Sequence, residues 1–279
     1  MKTYSTLSEA WVLELAHTRA FGEEFAPRGQ ATIETRWSQF AIDRPLTFPV
    51  RAEGREFRNV IGILEALSLV GQFSVPELFT DRVRKFLDFE DAGVFHGSYG
   101  ARIAGRLGDL VDLLKRDPDS RQAVLTIFDS RSDLGAAKRD IPCTIAIHFL
   151  VRDGELEMRV TMRSNDLWLG TPYDLLQFAV LQASVAQALG LVPGKYVHAA
   201  GSLHLYERDF GPASKIGEPL NYAEFPFPLW SPDMTDIGMI SQRARDLAFN
   251  RVHPDTAFEH WVHELVWPEG TWFPGMSPA

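Results

Sequence analysis

The most constraining stretch of the chain is its middle, where two β-rich runs and a long apolar helix follow one another almost without connecting residues. TIAIHFLV (144–151) and ELEMRVTMRS (155–164) are separated only by Arg152-Asp153-Gly154. Asp-Gly between such runs predicts a tight antiparallel hairpin, because both residues tolerate the positive φ that the turn needs. TPYDLLQFAVLQASVAQALG follows. Thr171 fits the N-cap, Pro172 the first helical position and Gly190 the stop. Leu175, Leu176, Ala179, Val180, Ala183 and Ala186 give this helix a broad apolar face, so it should be largely buried.

The flanks supply partners for that unit. Residues 8–25 read as an amphipathic helix with Ser8 as N-cap and Leu13, Leu15 and Phe21 among its apolar positions. Residues 31–42 alternate as a strand. FRNVIGILEALSLVG (57–71) reads as a buried helix stopped near Gly71. DPDSRQAVLTIFD places a turn before a strand at 122–128. A further strand, 195–206, carries His198, His204 and Tyr206. Beyond residue 210 the chain is rich in proline and tryptophan and its periodicity predicts no element. Residues 1–279 are therefore expected to form one α+β domain around a mixed sheet.

Composition narrows the function. A net charge of −9 excludes a non-specific nucleic-acid binder, which needs a basic face, but leaves room for a local cationic pocket holding one phosphate. Cys143 is the single cysteine. It can form neither an internal disulfide nor a cysteine zinc cluster, so no metal is expected and a reducing compartment fits. The first 25 residues lack the apolar run of a signal peptide, and no stretch approaches a membrane helix. A cytoplasmic protein is expected.

Several residues could carry chemistry. Cys143 follows Pro142 and opens a strand, where a lone cysteine is more often an inert core residue than a nucleophile. Glu65 lies inside an apolar helix, which costs several kcal/mol unless the acid is paired, protonated or functional. Asp174 occupies the first turn of its helix, a place acids favour for electrostatic reasons alone. His204 and Tyr206 share one strand face. Arg28, Arg121 and Arg163 are ordinary surface residues when taken singly.

Taken together they form a pattern. RSNDLWLGTPYDLLQF (163–178) begins twenty residues after Cys143. It resembles the signature of the thymidylate synthase family, in which a Pro-Cys is followed by Arg-Ser-x-Asp-x-x-Leu-Gly-x-Pro-Phe-Asn. GLVPGKYVHAAGSLHLY (190–206) is similar to that family's Gly…His-x-Tyr strand, HGSYGARI (96–103) to its Tyr-Gly loop, and DPDSRQ (117–122) to its arginine loop. Glu65 in ILEALSLVGQ resembles its active-site glutamate, and Arg28 in RGQAT its N-terminal phosphate arginine. The likeness spans residues 26–210 and leaves the last 70 residues unmatched.

The resemblance implies a thymidylate synthase-like fold, a mixed β-sheet packed with helices, and a sheet-mediated homodimer. It implies that Cys143 attacks C6 of a pyrimidine nucleoside monophosphate. Arg163 would lower the thiol's pKa and, with Arg28, Ser164 and an Arg121 arriving from the neighbouring subunit, hold the 5′-phosphate. His204 and Tyr206 would bind the 3′-hydroxyl. Asp166, Gly170 and Tyr173 would face 5,10-methylenetetrahydrofolate, the one-carbon donor, and Glu65 and Tyr99 would manage protons through water. The chemistry calls for these types: a thiolate near a cation, a forked cation for phosphate and a carboxyl of raised pKa.

The departures are informative. Asp174 stands where the family has its uracil-reading asparagine, Thr144 where a histidine is common, Met162 before Arg163 where it has glutamine, Gln122 for a second arginine, and Ser202 for an aspartate. Phe86 and Phe89 lie where two tryptophans flank the folate. An aspartate at the base-reading position resembles the deoxycytidylate and cytidylate hydroxymethylases. Cytosine offers an N3 acceptor and an N4–H donor, the reverse of uracil, and a carboxylate facing uracil O4 sets acceptor against acceptor. The leading expectation is hydroxymethylation of dCMP or CMP. The alternatives are a thymidylate synthase with an unusual Asp174, and an inactive nucleotide-binding dimer, against which the presence of both Cys143 and Glu65 argues.

Overall fold

The computed structural model describes residues 1–74, 90–91, 94–221 and 224–267. The predicted hairpin is formed by β5 (Thr144–Arg152) and β6 (Glu155–Met162), with Arg152 paired to Glu155 across a two-residue turn. Asp153 and Gly154 take φ values of 51° and 81°, the double positive φ of a turn whose twist matches that of the strands. β6 alternates strictly. Leu156, Met158, Val160 and Met162 are buried, while Glu157, Arg159 and Thr161 stay open on the other face.

The helix after the hairpin, α5 (Thr171–Leu189), buries every residue except Leu189. Gly190 ends it with φ 70°, a left-handed conformation that costs glycine little. Its start departs from expectation. Gly170 is the cap residue and makes no side-chain cap hydrogen bond, so Thr171 is already helical. The Thr171 hydroxyl points inward to Asn165 Oδ1 at 2.8 Å.

Around this unit the sheet runs β1 (Lys2–Tyr4), β3 (Thr32–Ile42), β8 (Val192–Tyr206), β6, β5, β4 (Val124–Thr126). The short β2 (Glu23–Phe25) pairs with β3, and β7 (Asn165–Asp166) with β8. β8 is antiparallel to β3 and parallel to β6 and β7, so the sheet is mixed and the fold α+β, as expected. α1 (Leu7–Phe21) and α5 cover one face, and α2 (Asn59–Gly71) packs on α5. Gly62 permits that approach, since a Cβ there would lie 3.2 Å from Leu176 and 3.3 Å from Tyr173.

α1 corrects the reading of residues 8–25. Its N-cap is Thr6, whose hydroxyl accepts from the Glu9 N–H. Ser8 instead donates to the Leu220 carbonyl and accepts from the Arg51 N–H. The helix stops at Phe21 because Glu23–Phe25 peels away to pair with β3. Leu13 and Phe21 are exposed, and Leu7, Trp11 and Leu15 carry the packing. Among the described residues of the tail, beyond a single helical turn at Phe210–Ala213, lie α6 (Ile237–Ala248) and α7 (Ala257–Val266), capped by Asp236 and Thr256. They are tied by the Arg243–Glu259 ion pair at 2.8 Å. Among the described residues no helix is long and apolar enough to cross a membrane.

Candidate active site

The site is assembled by the hairpin. Pairing of Thr144 with Met162 sets Arg163 beside Cys143, and the Arg163 N–H donates to the Cys143 carbonyl at 2.8 Å. The guanidinium folds back, with Nε donating to the Pro142 carbonyl at 3.0 Å and Nη2 to the Ile141 carbonyl at 2.9 Å. Arg163 thus fixes the segment that presents the thiol. Burial pushes the Cys143 thiol up, the Arg163 charge opposes this, and the carboxylates of Asp174, Asp140 and Asp166 add to the rise. The cation acts in the expected direction, but in this chain burial outweighs it.

Two groups act on or respond to the thiol, Tyr99 and Asp174, and a third, Glu65, acts on Tyr99 and responds to Asp174. Glu65 is the only residue from Ile61 to Gly71 that is not sealed from solvent. Burial, then the Asp174 charge, holds its carboxyl well above the usual carboxylate range. Tyr99 opens the short α3 (Tyr99–Arg102), which precedes α4 (Arg106–Arg116). Its hydroxyl accepts from the Thr144 N–H at 3.3 Å, and its ring stacks on Phe178 at 6.1 Å. Burial raises this phenol well above its ordinary value, reinforced by Asp174, Cys143 and Glu65. Asp174 closes the group from the first turn of α5, 7% exposed. Burial raises its carboxyl to about 7 against hydrogen bonds donated by Asn165 (2.6 Å) and Gln177 (2.9 Å). Glu65, Tyr99 and Asp174 thus all hold their protons more tightly than usual, and Asp174 exchanges its own near neutrality.

The flank continues along β7 and β8. Asp166 is paired in register with His204. Its Oδ1 accepts from the Trp168 and Leu169 N–H groups at 2.7 and 3.1 Å, which shapes the turn into α5, while Oδ2 lies 3.9 Å from Arg208. Gly170 is needed here, because a Cβ would sit 3.2 Å from Asn165 Nδ2 and 3.3 Å from Asp174 Oδ2. The Tyr173 hydroxyl accepts from the Arg58 N–H at 3.3 Å. His204 and Tyr206 meet edge-to-face at 5.1 Å, and Arg208 lies over the Tyr206 ring at 4.1 Å. Ser164 is half-buried beside Arg163.

Two expected phosphate ligands stand apart. Arg28 is exposed, with φ 54°, in the turn before β3. That turn adjoins the end of β8, where Thr32 pairs with Tyr206. Arg121 is exposed before β4. Phe149, six residues beyond Cys143 along β5, donates to the carbonyl of Ala123. This puts Arg121 about 20 Å or more from the thiol of its own chain, at strand rise. Phe86 and Phe89 lie outside the described residues.

Other residues at the site had no assigned role. Arg55 sits 4.0 Å from the Trp168 ring centroid, 4.5 Å from Phe57 and 5.3 Å from Trp11. Its Nη1 is buried without a hydrogen-bond partner. Asn165, Gln177, His198 and Tyr196 are buried around Asp174. Asn165 lay inside the RSNDLWLG run and His198 on a strand already singled out. A polar residue in a buried motif was the available signal for both.

A mixed sheet thus presents a lone cysteine beside an arginine, facing carboxyls carried by two packed helices. The model of the thymidylate synthase family matches residues 83–247, and the chain belongs to that family. The matched span runs further toward the C-terminus than residues 26–210 and omits the Glu65 helix. Among curated relatives, the deoxyuridylate hydroxymethyltransferase of Bacillus phage SP01 is 30% identical over 217 residues, 71% of this chain and 56% of that protein. The deoxyuridylate hydroxymethyltransferase of Pseudomonas phage M6 is 32% identical over 188 residues, 62% and 53% of the two chains. The thymidylate synthase of Equine herpesvirus 2 (strain 86/87) is 32% identical over 164 residues, 57% and 53%. The chain spans about half the length of these relatives.

Proposed function

We propose that this chain transfers a one-carbon unit to C5 of a pyrimidine nucleoside monophosphate through a Cys143–C6 adduct, and that the base is cytosine and the product its 5-hydroxymethyl derivative. Asp174 carries the choice of base. A neutral carboxyl offers one O–H donor and one acceptor, which matches cytosine N3 and N4–H₂. Its pKa of about 7 keeps one proton available to be shared with N3 at neutral pH. Against uracil the ionised carboxyl accepts from N3–H but opposes O4 with a lone pair, whereas against cytosine it accepts from N4–H₂ and shares its proton with N3.

Cys143 as thiolate attacks C6, and the electron pair moves to C5, which becomes the carbon nucleophile. Thiolate formation is the step that burial makes costly; Arg163 opposes that cost, and a phosphate neutralised by Arg28, Arg163 and Ser164 would share the same cationic edge. Glu65 and Tyr99 would receive the C5 proton through water; the raised pKa of the Glu65 carboxyl suits it to hold a proton that an ordinary carboxylate would release. Methylenetetrahydrofolate, when bound, supplies the carbon at the oxidation level of formaldehyde. Asp166, Gly170 and Tyr173 would hold it, and the orphaned Arg55 Nη1 between Trp11, Phe57 and Trp168 fits a flat ring with an anionic tail. Tetrahydrofolate would depart as its bond to that carbon breaks, water would add there to give CH₂OH, and Cys143 would leave C6 as the C5–C6 double bond re-forms.

Likeness to two deoxyuridylate hydroxymethyltransferases favours a second reading in which the base is uracil and the product 5-hydroxymethyl-dUMP. We further propose a homodimer through the open sheet face, where Trp37, Val124 and Ile145 are exposed. In it Arg121 would serve the neighbouring site. Tritium release from [5-³H]dCMP, [5-³H]CMP and [5-³H]dUMP with methylenetetrahydrofolate decides the base. Release from a cytidylate with no dihydrofolate absorbance supports the proposal. Stoichiometric dihydrofolate from dUMP refutes it in favour of thymidylate synthesis, and release with no product from any nucleotide refutes completion of the transfer.

A further inference from the structure

Behind Asp174 lies a line of buried polar groups with no part in the chemistry above. The Tyr196 hydroxyl is 2.9 Å from His198 Nδ1. His198 Nε2 is 3.0 Å from Asn165 Oδ1. Asn165 Nδ2 is 2.6 Å from Asp174 Oδ2. Tyr196 and His198 are fully buried and Asn165 is 2% exposed. A sheet core would normally hold apolar groups at such positions, because polar ones are tolerated only when every partner is in place.

Chemistry sets the direction of the line. An ionised Asp174 only accepts, so Asn165 must turn its amide nitrogen toward it. Asn165 Oδ1 then faces His198, and since a carbonyl oxygen only accepts, Nε2 must carry the imidazole hydrogen. Burial drives the His198 pKa down to about 3, so the ring is neutral and Nδ1 is a lone pair. Tyr196 therefore donates. Thr171 donates to the same Asn165 Oδ1 at 2.8 Å, which agrees with this orientation of the amide. Gln177 donates to Asp174 Oδ1 at 2.9 Å. Each carboxyl oxygen thus has one lone-pair direction filled from behind and one left for a base.

We infer that Tyr196, His198 and Asn165 form a one-way hydrogen-bond relay that fixes the donor–acceptor face Asp174 shows to the base, making Asn165 and His198 positioning residues for base choice. The inference rests on the reading that Asp174 faces the base. The titratable groups that act on Asp174 or respond to it are Glu65 from α2, Tyr99 from α3, Cys143 before β5, Asp166 from β7 and Tyr196 from β8. Against burial and the Asp166 charge, the amides of Asn165 and Gln177 favour the ionised carboxyl. The relay therefore holds the carboxyl near neutrality, where its proton can be shared.

The test is titration of the Asp174 carboxyl carbon by ¹³C NMR without nucleotide, the resonance being assigned with Asp174→Asn. Asn165→Ala should raise the midpoint by about one pH unit, a tenfold change in ionisation constant and the size of one lost hydrogen bond. His198→Phe should raise it less, because the freed Asn165 amide can still donate part of the time. The phenyl ring can occupy the slot in which His198 stacks on Phe40 at 5.2 Å, so this variant carries the test if Asn165→Ala fails to fold. The alkaline limb of kcat/KM for cytidylate should move up by the same interval. An unmoved midpoint in a folded His198→Phe or Asn165→Ala overturns the relay. A moved midpoint, combined with an Asp174→Asn enzyme that keeps its base preference, overturns the role of the relay in base choice and the base-reading assignment together.

Discussion

Replacing Asp174 by asparagine removes the one proton on which the proposed base code depends. In the wild-type chain both carboxyl oxygens accept from behind, from Asn165 and Gln177. With asparagine, Oδ1 can keep the bond from Asn165, while the new Nδ2 faces the Gln177 amide, which must rotate to present its oxygen. Asparagine then shows the base one acceptor and one donor, the complement of uracil N3–H and O4. Two buried hydrogen bonds change sign between the bases, each worth about 1–3 kcal/mol when mismatched. The dUMP-to-dCMP ratio of kcat/KM should rise by about 10²- to 10⁴-fold. The same substitution has a signature without substrate. The Asp174 carboxyl has its pKa raised from 3.8 to about 7, so the folded state binds this proton more tightly than the unfolded one. Stability is therefore lost as pH rises from about 4 to about 7, by at most about 4 kcal/mol, and the loss is complete above that. Asparagine carries no such loss, so the variant should gain in Tm over wild type at pH 8 and not at pH 4. Steady-state kinetics with both nucleotides and thermal melts at the two pH values check this. A variant that still prefers dCMP, with a Tm difference independent of pH, would refute the assignment of Asp174.

Cys143→Ala should abolish turnover while leaving nucleotide affinity within a few-fold, measured by calorimetry; turnover within about tenfold of wild type would remove the thiol from the mechanism. Because burial raises the Cys143 thiol, its alkylation rate should keep climbing with pH past about 8.5, the usual thiol value, and a plateau below that pH would contradict the geometry. Glu65→Gln should lower kcat by about 10²- to 10⁴-fold with the fold retained, and near-normal kcat would make Glu65 structural. Arg121→Ala and Cys143→Ala, each inactive alone, should regain activity when mixed and refolded together, since mixed dimers hold one intact site. Failure to complement, or a monomeric species by sedimentation, would place Arg121 outside the site.

What the sequence by itself determined was local. The Asp-Gly turn, the apolar helix ended by Gly190 and the Cys143–Arg163 spacing are written in short windows, where backbone geometry and burial pattern leave few alternatives. The acid at Glu65 was legible for the same reason, as a charge in an apolar helix. Tertiary structure decided what depends on partners distant in the chain. Ser8 lost the N-cap to Thr6 because Leu220 and Arg51 claim its hydroxyl. α6 and α7 were overlooked although each carries an apolar stripe of its own, Ile237, Ile240, Ala244 and Leu247 in one and Phe258, Val262 and Val266 in the other, behind an N-cap at Asp236 or Thr256; what only the fold shows is that these stripes close on Trp230, Phe48 and α2. Asn165 and His198 are 33 residues apart, and their meeting behind Asp174 exists only once β7 lies beside β8 and α5 closes over both. A hydrogen bond needs two groups within about 3 Å, and only the folded chain says which ones those are.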